Sequence, residues 1–343
     1  MNFLRSHMNS LKMRTEMLLG EQFSFQEMTR GLYGLTAPEY PEEMFADVLD
    51  ELNQVLPGKG SLLERVESFR QKMVVPSNKL AATMTSAVEA FHDIAVERMG
   101  ITKDSAPRLS FYGFGPHRKG LELDGYVYDW EWDRINWEIV FSTDHAFAID
   151  DIISFSCHEV EPGHLTFIGL RTKAAYENGC PELAVIAQFN ESSAFIEGAA
   201  RMSIDLCLPG EELFAFERDL LFPLAGIDKG LAECLPVWHK FRKATNFAKL
   251  VLERNRWDGK WSKEEGIAWM KQYMLAPPQD CAALVDHLAA DPGHFVAHDY
   301  SREVITNYVY DKEPTWEGRW RLYRELSMAH ISMRAIEDRS FQL

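Results

Sequence analysis

The sequence has few of the features that mark disulfide-rich or membrane-embedded proteins. Its 343 residues include 5 cysteines, an odd number, and no two of them form a C-x-x-C pair. This argues against a disulfide framework, a redox motif or a thiolate metal site. No apolar run reaches roughly 18 residues, and the N-terminus lacks the apolar stretch of a secretory signal. These absences predict a cytoplasmic protein that does not insert into membranes.

Positive charge is also scarce. Lys and Arg together number 36 against 52 for Asp and Glu, so the formal net charge is −16. Excess negative charge opposes attraction to phosphate backbones and anionic lipids. The composition therefore predicts no nucleic-acid or membrane partner. A small molecule or a short peptide is the expected substrate, and the oligomeric state stays open.

Apolar residues, in contrast, are plentiful and follow a helical period over most of the chain. They make up 46% of the sequence, enough for a large core. We predict a mainly α fold in a single domain over 1–343, with a helical N-terminal part (1–108) and helices that carry the functional site (143–343). Between them, aromatic and β-branched residues with glycines predict a small insertion of short strands and loops at 109–142.

The most informative segment reads His158-Glu159-Val160-Glu161-Pro162-Gly163-His164 within a largely apolar helical pattern. Two neutral imidazoles that face one metal, with a carboxylate close enough to accept a proton from water, are what a zinc hydrolase needs. Polar groups in an apolar helix also need a strong partner, and a metal ion is one. His158 and His164 are therefore candidate ligands, and Glu159 is the candidate general base.

The spacing of six residues requires a distorted helix. On a regular helix the two side chains would point about 120° apart and sit about 9 Å apart along the axis. Pro162 lacks the N–H that would bond the carbonyl of His158, which predicts a break at the first ligand itself. Gly163 then has the backbone freedom to bring His164 back toward the metal.

A third ligand is expected from a following helix, and two carboxylates qualify. Glu191 and Glu197 are also six residues apart, so a regular helix would not direct both at one ion. Glu197 precedes Gly198-Ala199-Ala200, small residues that allow another helix to pack closely. Asn190-Glu191, in turn, is similar to the Asn-Glu ligand motif of some zinc peptidases. The residues alone favour Glu197 and leave Glu191 as the alternative.

These motifs resemble a family of bacterial metallopeptidase-like proteins known as "domain of unknown function 885". The segment from His158 to His164 looks like the family's H-E-x-x-P-G-H-H, and Phe195-Ile196-Glu197-Gly198-Ala199-Ala200 looks like its F-x-E-G-W-A. Weaker similarity extends to Leu56–Arg65 and to Tyr308–Lys312. The resemblance implies a mainly helical zinc hydrolase in which His158, His164 and Glu197 bind the metal and Glu159 is the general base.

The sequence departs from the family pattern at three positions. Leu165 stands where many members have a second consecutive histidine, Ala199 replaces the tryptophan, and Asp311 replaces a glycine. A smaller residue at position 199 would change the shape of the substrate pocket.

A metallohydrolase also needs a donor that stabilises the oxyanion of the reaction. The C-terminal region offers His298, Arg302 and Tyr308 as candidate catalytic residues. His294 and His298 also have the i, i+4 spacing of a helical metal site, but Asp291-Pro292-Gly293 before them is typical of a turn at a helix start.

Together, the sequence predicts an enzyme: a zinc-dependent hydrolase of amide or peptide-like bonds in a small substrate. A two-histidine, one-carboxylate shell also resembles the Fe²⁺ site of oxygen-using enzymes, so an iron enzyme of small-molecule biosynthesis is the alternative. A non-catalytic binding or scaffold protein is the third interpretation.

Overall fold

The fold is mainly α, as the sequence predicts. A computed structural model of the chain describes residues 2–103, 108–112, 123–131, 134–142 and 146–340. The α-helices in these residues are α1 (Asn2–Leu18), α2 (Phe25–Tyr33), α3 (Glu42–Val55), α4 (Leu62–Met73), α5 (Ser77–Met99), α6 (Ile149–Ser154), α7 (His164–Glu177), α8 (Glu191–Cys207), α9 (Glu211–Phe216), α10 (Phe222–Ala225), α11 (Leu235–Trp257), α12 (Lys263–Trp269), α13 (Pro278–Ala290), α14 (Ser301–Lys312), α15 (Trp316–Met328) and α16 (Met333–Glu337).

Several of these helices continue directly into wider or tighter turns. The π-helical segments are Phe155–Val160 after α6, Glu217–Leu221 after α9, Met270–Met274 after α12 and Val296–Tyr300 before α14. Short 3₁₀ turns lie at Pro181–Ala184 and Lys229–Cys234. π turns often occur at functional sites, and the segments Phe155–Val160 and Val296–Tyr300 carry candidate site residues.

A small sheet lies in the region where the sequence predicts strands. Its strands are β1 (Arg108–Tyr112), β2 (Leu123–Glu131) and β3 (Arg134–Ser142). The central strand β3 pairs in parallel with β1 and antiparallel with β2. Ile139 and Phe141 of β3 are buried, and the ring of Phe141 packs edge-on against Phe147. The sheet is thereby joined to the helical core.

Serine caps begin several helices and explain where they start. Ser61 accepts a hydrogen bond from the backbone N–H of Glu64, and the Glu64 side chain accepts one from the backbone of Ser61. Ser24 and Ser262 form the same reciprocal pair with Glu27 and Glu265. Each pair satisfies N–H groups that the first helical turn leaves without partners.

Helix α8 lies at the centre of the core. Its buried residues are Glu191, Ser192, Ser193, Ala194, Phe195, Ile196, Gly198, Ala199, Ala200, Met202, Ser203, Leu206 and Cys207. Gly198 is where α8 and α14 approach most tightly, because a Cβ atom there would lie 2.6 Å from the backbone carbon of Ser301. A helix surrounded in this way can hold its side chains rigidly.

Among the residues that the structure describes, no helix is both long and apolar enough to cross a lipid bilayer.

Candidate metal centre

The first part of the site is the connection between α6 and α7, which carries both histidines. The chain leaves α6 through the π-helical segment Phe155–Val160, and the backbone of Glu161 is extended. The Glu161–Pro162 peptide bond is cis, and α7 starts at His164. The sequence predicts a break at His158, but the break falls at Glu161. The reason is that the wider turn lets the N–H of Glu161 bond the carbonyl of Ser156 (3.2 Å).

Gly163 allows the chain to reverse within a very short distance. Its backbone N–H donates to the carbonyl of Cys157 (3.0 Å). A Cβ atom at this position would lie 2.0 Å from the carbonyl oxygen of His158, closer than any side chain could be. Only glycine fits this approach, so the turn that precedes His164 depends on it.

Glu161 is fixed from the opposite side by His92 of α5. Both side chains are buried, and Nδ1 of His92 lies 2.5 Å from Oε2 of Glu161. The other ring nitrogen of His92 lies 3.1 Å from the carbonyl oxygen of Lys103. The hydrogen bond to Glu161 raises the pKa of His92. This pair holds the extended residue between the two histidines in place.

These distortions bring the two histidines together. The ring centroids of His158 and His164 are 4.6 Å apart, whereas a regular helix would separate the residues by about 9 Å along its axis. Both side chains are buried.

Glu197 completes the group from the middle of α8. Its Oε2 lies 3.3 Å from Nε2 of His158, and its Oε1 lies 3.2 Å from Nε2 of His164. One ligand atom from each of the three residues lies within 4.8 Å of the other two. Tetrahedral zinc with bonds of about 2.0–2.1 Å holds neighbouring ligand atoms about 3.3 Å apart. The residue types and both measured N···O distances therefore fit a metal ion.

Glu191, the alternative third ligand, has a structural role. It is buried, and it accepts hydrogen bonds from the Ser332 hydroxyl and from the backbone N–H of Arg334 (3.0 Å) at the start of α16. Asn190 caps α8 itself, because its side chain accepts from the N–H of Ser193 (2.9 Å). The Asn190-Glu191 pair therefore caps two helices and does not contribute to the His158–His164 group.

Charge in the group is concentrated on the Glu197 carboxylate. Burial works against ionisation of Glu197, but His164, His298 and the hydrogen bonds of both histidines outweigh it and hold its pKa well below the usual range. Burial likewise opposes a charged His164, yet the attraction of Glu197 raises the pKa of His164. Burial lowers the pKa of His158. The site thus holds an anionic carboxylate that calls for a cation.

The group opens into a cavity of about 280 Å³. Glu159 lines this cavity next to the histidines, with its Oε1 3.5 Å from Nδ1 of His158. The remaining lining residues are Ile168, Ile186, Gln188, Ser193, Ile196, Arg201, His294 and His298. The Glu159 carboxylate and the candidate metal site therefore face the same cavity, which has room for a ligand.

His298 is the one of the three C-terminal candidate residues that lines the cavity. Its Nε2 lies 3.3 Å from Oε2 of Glu197, and its Nδ1 lies 2.7 Å from the carbonyl oxygen of His294. This second contact assigns the ring proton to Nδ1. Nε2 then carries no proton, and its lone pair faces the carboxylate oxygen of Glu197. Two hydrogen-bond acceptors this close repel each other unless a proton or a cation lies between them. Burial lowers the pKa of His298 to about 4.

Arg302 and Tyr308 lie outside the cavity lining. Arg302 makes a two-pronged ion pair with Asp205, with Nη2 2.8 Å from Oδ1 and 2.9 Å from Oδ2. Tyr308 is buried in α14 and lies under the ammonium of Lys312. The structure brings His158, Glu159, His164, Glu197 and His298 together and places these two residues elsewhere.

The structure also shows the surroundings of the three residues that differ from the family motifs. Leu165 is buried and does not line the cavity. The carbonyl of Ala199 accepts a hydrogen bond from the Tyr323 hydroxyl (3.1 Å). Asp311 forms an exposed ion pair with Arg339 (2.6 Å).

Arg201 is a cavity residue that the sequence reasoning missed. It follows Glu197 by four residues on α8, so it lies on the same helix face, one turn further along. Helical spacing from Glu197 would have identified it, once Glu197 was chosen over Glu191.

Comparisons with known proteins inform the fold more than the activity. No model of a known protein family matches the chain, and no curated protein matches it. A crystal structure described as "the putative lipoprotein from Colwellia psychrerythraea" is similar in fold, with a TM-score of 0.65 at 15% sequence identity. The similarity covers 92% of this chain and 54% of that one, so the chain spans about half the length of that protein. At this identity the likeness shows a shared fold.

Proposed function

We propose that this protein is a zinc-dependent hydrolase that cleaves an amide or peptide-like bond in a small substrate. The observation that carries the proposal is the group of His158, His164 and Glu197, whose ligand atoms lie within 4.8 Å of one another beside the Glu159 carboxylate. The resemblance of the two motifs to the "domain of unknown function 885" family supports the same assignment of roles.

The ligand set favours zinc over harder ions. Two imidazoles and one carboxylate, with a position left for water or substrate, form a common catalytic zinc shell. A bound zinc ion makes water more acidic and polarises a carbonyl oxygen. His158, His164 and Glu197 would hold the ion, and the π turn with Gly163 keeps the two imidazoles in position.

Glu159 is the residue that would move protons. Its carboxylate accepts a proton from the attacking water, whose oxygen adds to the carbonyl carbon of the substrate. The same proton then passes to the amide nitrogen as the C–N bond breaks, so that a carboxylic acid and an amine leave. Glu159 lines the cavity and is partly exposed, as a group that exchanges protons with bound water must be.

The Glu159→Gln variant tests this role directly. The amide keeps the size of the side chain but cannot accept the proton, so kcat should fall by about 10²–10⁴-fold. Hydrolysis of a panel of dipeptides and N-acyl amino acids by the zinc-loaded protein is the measurement, and zinc content is measured in parallel.

Glu182→Gln is a matched control because Glu182 is exposed and lies outside the cavity. Full activity in Glu159→Gln would contradict the assigned role. Iron in the purified protein, with oxygen-dependent turnover, would instead support the alternative of an iron enzyme, because the same three residues match its ligand shell.

A further inference from the structure

Arg201 gives the cavity a positive charge that the proposed reaction does not use. The lining residues, all within the described part of the chain, include no other Lys or Arg. Arg201 lies one turn beyond Glu197, and side chains four residues apart on a helix have Cβ atoms about 5–6 Å apart. Its charge also reaches the histidines: burial lowers the pKa of His158 and of His298, and repulsion from Arg201 adds to this effect.

The guanidinium of Arg201 is only partly engaged by the protein. One contact is present, from Nη1 to Oδ1 of Asp299, and at 3.4 Å it is long. The Nε atom is buried and has no hydrogen-bond partner among the described residues. Arg302, by comparison, is clamped by both oxygens of Asp205. The Arg201 side chain is nevertheless 28% exposed and lines the cavity, so the exposed part of the guanidinium can donate to a ligand there.

The rest of the cavity suits a short ligand with an apolar side chain. Ile168, Ile186 and Ile196 contribute an apolar wall, whereas Gln188 offers a polar group. A volume of about 280 Å³ is at or below the low end for ligand sites, which usually measure about 300–1,000 Å³. One or two amino-acid residues fit such a space.

Building on the proposed hydrolase function, we infer that Arg201 binds a substrate carboxylate, so that the enzyme acts on dipeptides or N-acyl amino acids whose free C-terminal carboxylate follows the scissile amide. In such substrates the amide carbonyl and the carboxylate are separated by one residue, about 3.8 Å along the chain. Arg201 and the His158–His164–Glu197 group line the same cavity, so one short substrate can contact both.

Carboxylate recognition by Arg201 has a definite chemical signature. A guanidinium can bind both oxygens of a carboxylate at once, and these charge-assisted hydrogen bonds are about twice as strong as neutral ones. A primary amide of the same shape loses the charge and one acceptor. Arg201 should therefore distinguish an acid from its amide by about 10–100-fold in affinity. It is a specificity residue, and hydrolysis itself does not require it.

The test measures binding of N-acetyl-leucine and N-acetyl-leucinamide by calorimetry. The full-length protein is first freed of metal with a chelator, so that zinc cannot bind the carboxylate and neither ligand is hydrolysed. The parent should bind the acid at least about 10-fold more tightly than the amide. Arg201→Gln should remove this preference, and Arg201→Lys should keep part of it, because lysine supplies charge without the planar fork.

Arg218→Gln is the matched control because it removes the same charge from an exposed side chain paired with Asp219. It should retain the preference of the parent. Equal affinity of the parent for acid and amide would overturn the inference, as would a preference that persists in Arg201→Gln. If Arg201→Gln does not fold, Arg201→Lys decides, because an undiminished acid preference in that variant would also overturn the inference.

Activity of the zinc-loaded protein separates this inference from the proposed function. Hydrolysis of N-acyl amino acids and their amides with equal kcat/KM would retain the hydrolase and reject the role of Arg201. An acid preference in binding that depends on Arg201, without hydrolysis of any amide, would retain the carboxylate site and reject the hydrolase.

Discussion

Helix α8 carries a buried carboxylate, Glu191, and a half-buried one, Glu197, with very different surroundings. Glu191, in the first turn, accepts hydrogen bonds from the Ser332 hydroxyl and the N–H of Arg334. Glu197, less than two turns later, lies 3.2–3.3 Å from ring nitrogens of His158, His164 and His298. The six-residue offset turns the two side chains toward different parts of the protein.

The difference shows how a structural carboxylate can be told from a candidate metal ligand. The Ser332 hydroxyl and the backbone N–H of Arg334 already satisfy Glu191, and Nε of Arg334 lies 3.9 Å from its Oε1, so a metal has nothing to add. A metal is bound by neutral imidazoles, so with His158 and His164 as ligands the charge of Glu197 is compensated by the cation. Glu197 is therefore the carboxylate for which a cation fits.

Glu253 of α11 belongs with Glu191 in this comparison. It is buried, and its Oε2 accepts from the backbone N–H of Phe295 (3.2 Å). Phe295 directly precedes the π-helical segment Val296–Tyr300, which carries His298. Glu253 thus supports the backbone beside the site, whereas Glu197 faces the site itself.

A large effect on stability should come from Glu191→Ala. The substitution leaves the Ser332 hydroxyl and the N–H of Arg334 without their acceptor, and the free energy of unfolding should fall by about 2–3 kcal/mol. Zinc content should not change, because Glu191 makes no contact with the histidines. Denaturant unfolding and metal analysis of the same preparation measure both.

Glu182→Ala is the control for Glu191→Ala, since it removes the same charge from an exposed position and should change stability by no more than about 0.5 kcal/mol. Loss of zinc in Glu191→Ala, with the fold intact by circular dichroism, would contradict the comparison, because it would make Glu191 the third metal ligand.

A second effect, which accumulates with pH, should come from Glu253. Burial raises the pKa of Glu253 from 4.5 to about 8, so the folded protein keeps a proton that the unfolded chain releases near its ordinary pKa. This contribution to stability is complete below the unfolded pKa and is lost as the pH rises through the folded pKa. Between about pH 5 and pH 8, the parent should lose up to about 1.4 kcal/mol per pH unit relative to Glu253→Gln.

Glu253→Gln keeps an acceptor for Phe295 and cannot titrate, so it isolates this proton. The measurement is the difference in unfolding free energy between parent and variant across the pH range. A difference that does not vary with pH would show that Glu253 is ionised in the folded state. Glu253 would then not hold the proton that this prediction assigns to it.

Much of the candidate site is visible in the sequence because its chemistry is local. His158, Glu159 and His164 lie within seven residues, and Pro162 with Gly163 predicts the distortion that brings the histidines together. The small region of strands around 109–142 is equally visible from its aromatic and β-branched residues. These features need only periodicity and the backbone properties of proline and glycine.

Other features depend on contacts between distant segments and could not be derived in this way. The break falls at Glu161 because a π turn forms, and His92 of α5 fixes that residue. Arg302 is paired with Asp205, so its closeness to His298 in the sequence does not bring it into the cavity. His298 reaches Glu197 because Gly198 lets α8 and α14 approach closely. Each outcome depends on a partner far away in the chain.

Zinc content of the purified protein, measured by mass spectrometry beside Glu197→Ala and Glu191→Ala, tests the metal centre most directly. We expect about one zinc ion per chain in the parent and in Glu191→Ala, and almost none in Glu197→Ala, with all three folded by circular dichroism. A parent without bound metal, or Glu197→Ala that retains one equivalent of zinc, would contradict the assignment of His158, His164 and Glu197 as the metal ligands.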